Sequence, residues 1–395
     1  MQRPARSEDR SVLPALCRHG CSKCGYSTTF ETDEACGTKY HENFVKFWTD
    51  VQNNDWGVDG AMTDVKGDRG LSPSKQADPD LFLHVVERTA DGVYVTGAKA
   101  HQTGYLNSHY VLVMPTISMR EGDEDYAISF ACPTDAEGIT LILGRQSCDT
   151  RKTEEYNDID VGNKVYGGHE VLVIFDRVFI PNDMIFLNGE TQFAGMMVER
   201  FAGYHRQSYG GCKVGVGDVL IGATALAGEM AGSAKASHVK DKLIEMTHLN
   251  ETLYCCGIAC SSQGTKTKSG NYLIDLLLAN VCKQNVTRFP YEIARLAQDL
   301  AGGIMVTQPS EADYRNPATH DYIEKYLKGV ASVPTEDRMR LLRLIENMTM
   351  GTAAVGYLPE SMHGAGSPQA QRIMIARQSN MEMKKELAKK IARIG

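Results

Sequence analysis

Two residues of types that bind soft metals face the same side of a predicted helix. His205 and Cys212 are seven residues apart, about two helical turns, so both side chains can point at one position. Tyr209 and Lys213 lie on nearly the same face. A thiolate beside an imidazole favours an iron–sulfur or zinc site. The alternative interpretation is a glycine-rich helix contact with a buried cysteine and a polar histidine.

A second group of candidates lies in a loop and at a strand end. Residues 62–75 combine turn residues, hydroxyl groups and the cations Lys66 and Arg69, a composition suited to phosphate or a flavin edge. No G-x-G-x-x-G segment links a strand to a helix, which argues against the usual dinucleotide fold. Residues 100–104 end a predicted strand, where the Thr103 hydroxyl could approach a planar ring. Residues 62–75 could also be a plain surface loop, and residues 100–104 alone are a weak signal.

Two carboxyl groups and a pair of glycines complete the candidates. Glu170 precedes an apolar strand and could be buried with a raised pKa, although an exposed glutamate is more common there. Glu360 stands with His363 in a glycine-rich break between two helices, and most such breaks only turn the chain. Gly302 and Gly303 allow close backbone approach, or simply end a helix.

Composition limits the class of protein. A chain of 395 residues is long enough for two or three domains. A net charge of −7 with dispersed basic residues does not predict a nucleic-acid partner. The apolar run 214–232 contains Asp218 and Glu229, which argues against a membrane span. Eleven cysteines without secretory features indicate reduced thiols and metal ligands, so we expect a cytoplasmic enzyme in an anaerobic or reducing host.

Periodicity changes once along the chain. Apolar alternation predicts strands beginning near Leu83, Val93, Tyr110, Ala127, Ile139 and Val171. Helical spacing predicts helices at 41–52, 214–234, 237–262, 271–302, 336–355 and 367–393. We therefore predict a β domain over residues 81–192 and a helical bundle over residues 193–395.

Taken together, residues 27–395 resemble the 4-hydroxybutyryl-CoA dehydratases, which belong to the 4-hydroxyphenylacetate 3-hydroxylase family. The resemblance rests on residues 62–70, 100–104, 145–151, 201–213, 248–256 and 360–371. It implies an α+β, acyl-CoA dehydrogenase-like fold with a β-barrel middle domain and a C-terminal α-helical bundle. Residues 27–80 would be the remnant of an N-terminal helical domain that is largely missing, together with a flavin-contacting loop.

The resemblance also implies a reaction. These enzymes dehydrate 4-hydroxybutyryl-CoA to crotonyl-CoA and isomerise vinylacetyl-CoA, so an acyl-CoA substrate is expected. The implied cofactors are FAD, which would accept an electron to acidify the C3 hydrogen, and a [4Fe–4S] cluster, which would be a Lewis acid toward the leaving hydroxyl. A homotetramer with flavin sites shared between subunits is implied as well, without nucleic acid or membrane partners.

Site residues follow position by position from the same resemblance. The predicted catalytic residues are His205, Glu170, Glu360, Tyr209 and Lys213. His205 and Cys212 match two of the four cluster ligands, and His205 is also a candidate base. The predicted cofactor-binding residues are Met62, Thr63, Asp64, Lys66, Gly67, Asp68, Arg69, His101, Gln102, Thr103, Gly302 and Gly303.

The first residues of the chain depart from the family pattern. The family's other two ligands are cysteines in a C-x3-C element, and Cys17 and Cys21 keep that spacing but not its register. Back-translating residues 8–25 and reading one nucleotide later yields a segment that resembles the family's element. We therefore predict that residues 1–26 are a frameshifted or non-native start. Cys17 and Cys21 would then be ligands only if this segment reached the native position.

Two other functions remain open at this point. An FAD-dependent aromatic hydroxylase of the 4-hydroxyphenylacetate type would need oxygen but no cluster, and His205 with Cys212 argues against it. A truncated, non-catalytic product would expose apolar bundle surface and favour aggregation.

Overall fold

The structure, a computed structural model, describes residues 12–144, 159 and 170–394, with the side chains of residues 12–19 and of Thr352 left out. The segment 145–151, which contributes to the family resemblance, lies outside the described residues. The side chain of Cys17 lies outside them too.

Two helices begin the described chain. Helix α1 spans Val12–Cys36 and helix α2 spans Tyr40–Asn53, which confirms the helix predicted at 41–52. Helix α1 was not predicted, because residues 12–26 show no regular apolar spacing. It continues through residue 26, and the frameshifted start stays a prediction. The Cys24 thiol is buried and donates to the Met197 carbonyl at 3.2 Å, so α1 is anchored on the later helices.

Eight strands among the described residues form the β layer. They are β1 (Val58–Ala61), β2 (His84–Arg88), β3 (Gly92–Thr103), β4 (Tyr110–Val113), β5 (Ile128–Pro133), β6 (Ile139–Leu143), β7 (Glu170–Pro181) and β8 (Ile185–Asn188). One sheet has the order β1-β4-β5-β8 and the other has the order β2-β3-β7-β6. Only the β1–β4 pair is parallel within these two sheets. The predicted strands β2 to β7 are confirmed, and β1 and β8 were missed.

The expected β-barrel is not what the described strands form. They make two four-stranded sheets, which leaves β1, β8, β2 and β6 as edge strands. Val95, Val113, Phe130 and Phe175 are fully buried in one cluster that both sheets supply. Alternating apolar residues thus drive the sheets to pack face to face, whereas a barrel also needs its edges paired.

The helical part is dominated by one long helix. Helix α3 (Thr191–Met230) packs against α1, α4 (Ser237–Ser262), α5 (Leu276–Val286), α6 (Phe289–Ala301) and α10 (Thr335–Thr349). Gly210 of α3 and Gly257 of α4 allow a close crossing, since a Cβ on Gly210 would lie 2.7 Å from the Gly257 Cα. By length and composition α3 could cross a membrane, but half of its apolar window is buried, as in the central helix of a folded bundle.

Shorter elements complete the bundle. They are a hairpin of β9 (Thr265–Lys266) and β10 (Tyr272–Leu273), and the helices α7 (Ile304–Thr307), α8 (Glu311–Arg315), α9 (His320–Tyr326), α11 (Thr352–Tyr357), α12 (Pro359–His363), α13 (Pro368–Gln378) and α14 (Met381–Ala392). The helix predicted at 237–262 is confirmed as α4. The one predicted at 271–302 is two helices, because Pro290 lacks the N–H that would continue α5 and instead lies in the first turn of α6.

Candidate active site

A hydroxyl and a carboxyl meet where β3 ends and β7 begins. Thr103 and Glu170 are partners in the β3–β7 ladder. The Thr103 hydroxyl lies 2.6 Å from each carboxylate oxygen of Glu170. Burial raises the pKa of Glu170, the Thr103 hydrogen bond opposes this, and the charge of Glu360 raises the pKa further. Glu170 is therefore a half-buried carboxyl that holds its proton more tightly than usual.

The predicted metal-binding face lies on α3. The rings of His205 and Tyr209 are stacked, with centroids 5.4 Å apart. Burial lowers the pKa of His205 to about 4, and nearby cations add to the effect, so its imidazole is neutral at neutral pH. Burial also raises the pKa of the Cys212 thiol, and the charge of Glu360 raises it further.

The segment from Gly356 of α11 to Gly364, which includes the short helix α12, lies against this face. The Lys213 ammonium donates to the Gly356 carbonyl at 2.7 Å. A Cβ on Gly356 would lie 3.2 Å from a carboxylate oxygen of Glu360. A Cβ on Gly364 would collide with the Tyr209 hydroxyl oxygen, so the chain after α12 must come this close to α3. The predicted catalytic residues of α3 and α12 thus lie against one another.

Glu360 connects the two halves of the site. Its charge raises the pKa of Glu170, on the β layer, and the pKa of Cys212, on α3. An interaction between charges weakens only gradually with distance, so these effects indicate proximity without fixing a separation. The contacts above place Glu360 against the α3 residues, and Glu170 lies within electrostatic reach of Glu360 where the β layer meets the bundle.

Sequence reasoning missed Lys283, a buried cation at this junction. It lies in α5, and its ammonium donates to the carbonyls of Ser361 at 2.5 Å and Met362 at 3.2 Å. The same ammonium is 4.9 Å from the Tyr209 ring centroid. Burial, followed by the charges of Arg206 and Lys213, lowers the pKa of Lys283 to about 7. The sequence did contain one indication of this residue, because a lysine within an apolar helical run is unusual.

Asp59 was missed as well. It is 4% exposed, and its Oδ2 atom has no hydrogen-bond partner among the described residues. A Cβ on the next residue, Gly60, would lie 2.6 Å from the Cys21 sulfur, so the Asp59 side chain leaves β1 on the opposite face. Burial raises the pKa of Asp59 to about 7, and the charge of Glu170 contributes. Asp59 is therefore a second buried carboxyl near Glu170.

The two segments predicted to contact flavin are adjacent. The Ala100 amide donates to the Thr63 carbonyl at 2.8 Å, next to Met62, and Asp64 bridges to Lys99. The Lys99 ammonium and the Asp64 carboxylate form a buried ion pair at 2.9 Å. Asp64 therefore holds the loop in place through its ion pair with Lys99. The neighbouring loop residues, rather than Asp64, are the ones that could contact a ligand.

The other predicted flavin-contacting residues of these two segments differ in solvent exposure and in backbone conformation. His101 is exposed with a φ of 59°, and Lys66 and Gly67 also have positive φ, at 74° and 45°. Gln102 is buried and its amide donates to the Ala100 carbonyl. Asp68 and Arg69 are exposed, and Asp68 accepts a hydrogen bond from the Gly70 amide.

Gly302 and Gly303 lie elsewhere in the chain's fold. They join α6 to α7, which packs on α10 in the bundle, while the other predicted flavin residues belong to the β layer. A Cβ added at either glycine would meet no atom within 4 Å. The pair is thus open to contact from outside this part of the bundle.

The predicted cluster site is incomplete among the described residues. Within that part of the chain, no three His, Cys, Asp or Glu side chains converge as a metal site. His205 and Cys212 share a face of α3, but buried Cys21 packs with Phe201 and next to Gly60. The described residues supply half of a four-ligand set and do not fit a whole cluster.

An open groove of about 480 Å³ lies away from this junction. It is lined by His248, Glu251, Thr252, Cys255, Cys256, Ala259, Leu278 and Val281 of α4 and α5. The predicted catalytic residues are not among those that line it.

Two packed sheets followed by a helical bundle built around one long helix form an acyl-CoA dehydrogenase-like fold. Butyryl-CoA dehydrogenase from Megasphaera elsdenii shares the fold alone, at 13% identity and a TM-score of 0.52 over 90% of this chain and 74% of that one. The chain belongs to the 4-hydroxyphenylacetate 3-hydroxylase family. It matches the family's N-terminal part over residues 9–187 and its C-terminal part over residues 194–393.

Within the family the chain is most informatively compared with dehydratases. It is 66% identical to the 4-hydroxybutyryl-CoA dehydratase/vinylacetyl-CoA-Δ-isomerase of Clostridium aminobutyricum, over 93% of this chain and 77% of that protein. The solved archaeal 4-hydroxybutyryl-CoA dehydratase from N. maritimus is 59% identical, with a TM-score of 0.93 over 95% of this chain and 75% of that one. The oxygenase component of 4-hydroxyphenylacetate 3-monooxygenase, solved with FAD, shares the fold at 21% identity, with a TM-score of 0.81 over 98% of this chain and 78% of that one.

Proposed function

We propose that this chain dehydrates 4-hydroxybutyryl-CoA to crotonyl-CoA and isomerises vinylacetyl-CoA to the same product. The observation that carries the proposal is the junction of Glu170, Glu360, His205 and Tyr209, in a chain 66% identical to the Clostridium enzyme. The same relationship supports a cytoplasmic enzyme. The aromatic hydroxylase is less well supported, since the oxygenase component is only 21% identical.

The dehydration requires several proton movements. One hydrogen leaves C2, one leaves C3, the hydroxyl leaves C4, and one hydrogen returns to C4. The isomerisation is simpler, because a proton only moves from C2 to C4. Both reactions therefore need groups that can take and return protons on the two sides of a short acyl chain.

Residues of this chain can fill those roles. His205 is neutral, so its imidazole can accept a proton from C2. Glu170, with its raised pKa, can hold a proton and return it near C4, and Thr103 orients its carboxyl group. Tyr209 and Lys213 shape the α3 side of the site. A Glu170→Gln variant with full isomerase activity would remove that residue from the mechanism.

We also propose that FAD binds beside this junction. Residues 62–69 and 101–103 fit the cofactor because they are adjacent, are partly exposed and carry hydroxyl and cationic groups. Bound there, FAD would supply reversible one-electron oxidation of the acyl chain, which acidifies the C3 hydrogen. Gly302 and Gly303 would serve the flavin of a neighbouring copy, in keeping with a homotetramer that shares its flavin sites.

The described residues support a [4Fe–4S] cluster less well than they support FAD. His205 and Cys212 are suitable ligands, but the described residues do not complete the set. No step above depends on the cluster.

The proposal can be tested by anaerobic purification of the chain, with iron, sulfide and flavin quantified and both reactions assayed. A matched comparison replaces residues 1–26 by the C-x3-C element expected for the family, and a Cys212→Ser variant is the negative control for the cluster. Flavin binding with isomerase and dehydratase activity would support the proposal. A soluble, flavin-loaded chain that hydroxylates 4-hydroxyphenylacetate but leaves both acyl-CoA substrates unchanged would contradict it.

A further inference from the structure

The strongest unassigned feature of the site is the buried ammonium of Lys283. The side chain is 0% exposed, yet both of its hydrogen-bond acceptors are backbone carbonyls, those of Ser361 and Met362. Burying an ammonium is costly unless its hydrogen bonds are satisfied. A buried lysine at this position therefore calls for a specific role.

The two carbonyls belong to the end of α12. This helix is only five residues long, Pro359–His363, and the last carbonyls of any helix lack intrahelical donors. The Gly364 amide satisfies the Glu360 carbonyl, and the Lys283 ammonium satisfies the next two. A cation at this end also interacts favourably with the helix dipole. Lys283 is thus the C-terminal cap of α12, supplied by a distant helix.

The cap acts directly on the neighbour of a predicted catalytic residue. Glu360 immediately precedes Ser361, and a Cβ on Gly356 would lie 3.2 Å from the Glu360 carboxylate. The Tyr209 ring of α3 lies near two ammonium groups, with Lys213 at 5.4 Å and Lys283 at 4.9 Å from its centroid. The Lys283 contact links α5 to the α3 face, while its hydrogen bonds link α5 to α12.

We propose that Lys283 is a positioning residue, whose ammonium holds the end of α12 against α3 and thereby sets the place of the Glu360 carboxylate. The part of this role that concerns catalysis rests on the proposed function. The part that concerns the helix end does not, so the two can be tested separately.

The first test is hydrogen–deuterium exchange on a Lys283→Met variant of the full chain. The amides of Met362 and Gly364 donate to the Leu358 and Glu360 carbonyls and report on α12. Loss of the cap should speed their exchange about ten-fold or more, the factor expected for hydrogen bonds from a charged donor. Amides of α4 should be unaffected. The matched control is Lys242→Met, which removes a surface ion pair with Asp299.

The second test separates positioning from general stability. In the Lys283→Met variant we expect kcat for the acyl-CoA reactions to fall about ten-fold or more while KM changes little, since Glu360 would be misplaced for chemistry. If the methionine variant does not fold, both measurements are repeated on Lys283→Gln, which removes the charge but keeps a polar side chain.

The outcomes are distinguishable. Unchanged exchange at Met362 and Gly364 would overturn the proposal, as would faster exchange with unchanged kcat in an active chain. If the wild-type chain converts neither acyl-CoA substrate, the proposed function fails. Faster exchange in the variant would then still support Lys283 as the cap of α12.

Discussion

The hydroxyl of Thr103 lies 2.6 Å from both carboxylate oxygens of Glu170, although 67 residues separate them in the chain. The pairing follows from the β3–β7 ladder, which places the last residue of one strand opposite the first residue of the other. This bond opposes the effects of burial and of the Glu360 charge on the pKa of Glu170.

Thr103→Val should therefore raise the pKa of Glu170. If Glu170 acts as a carboxylate in any step, the acid limb of the pH–rate profile should move to higher pH, with about ten-fold lower activity near neutral pH. The vinylacetyl-CoA isomerisation is the cleaner assay because it involves proton transfer alone. Thr103→Ser, which keeps the hydroxyl, should behave like the wild type, and equal pH profiles for all three proteins would contradict the prediction.

Glu360→Gln should make Cys212 more reactive. The Glu360 charge raises the pKa of this thiol, so its removal should lower that pKa and increase the thiolate fraction. Alkylation by iodoacetamide, followed peptide by peptide in the mass spectrometer, should be several-fold faster at pH 8. Glu292→Gln, on the surface of α6, is the control. An unchanged rate at Cys212 would mean that the two groups do not interact.

Asp59→Asn should change the pH dependence of stability. Folding raises the pKa of Asp59 from 3.8 to about 7, so the folded state binds this proton more tightly than the unfolded state. The resulting stability is present below pH 4 and is lost as the pH rises to 7, by up to about 4 kcal/mol. The variant should lack this loss. Urea unfolding at pH 5 and pH 7.5 measures it, and equal slopes with pH in both proteins would refute the assignment.

Asp64→Asn should strongly destabilise the chain. It would leave the buried Lys99 ammonium without its carboxylate partner, at a cost of about 3–5 kcal/mol in the free energy of unfolding. Asp183→Asn breaks the exposed pair with Lys46 and should change the free energy of unfolding far less, because solvent screens this pair. Both are measured by urea unfolding of the flavin-free protein. Similar losses in the two variants would show that the Lys99 site is not truly buried.

Much of the fold could be predicted because it depends on local patterns. Strands β2 to β7 are short runs rich in β-branched and aromatic residues, and α4 keeps helical spacing between its ends, so neighbours in sequence suffice. Helix α1 lacked such a pattern. The sequence pattern of a single strand does not tell which other strand it pairs with. The formation of two separate sheets rather than a closed barrel could therefore not be predicted.

The sequence by itself determined that His205, Tyr209, Cys212 and Lys213 share one helical face, because the helical repeat alone places them there. Only the tertiary structure decided that Glu360 lies close enough to raise the pKa of both Glu170 and Cys212. Lys283 and Asp59 joined the site in the same way, since burial and hydrogen bonding between distant segments depend on how the elements pack. Packing between the β layer and the bundle depends on contacts between residues far apart in sequence, and the periodicity within either part does not predict those contacts.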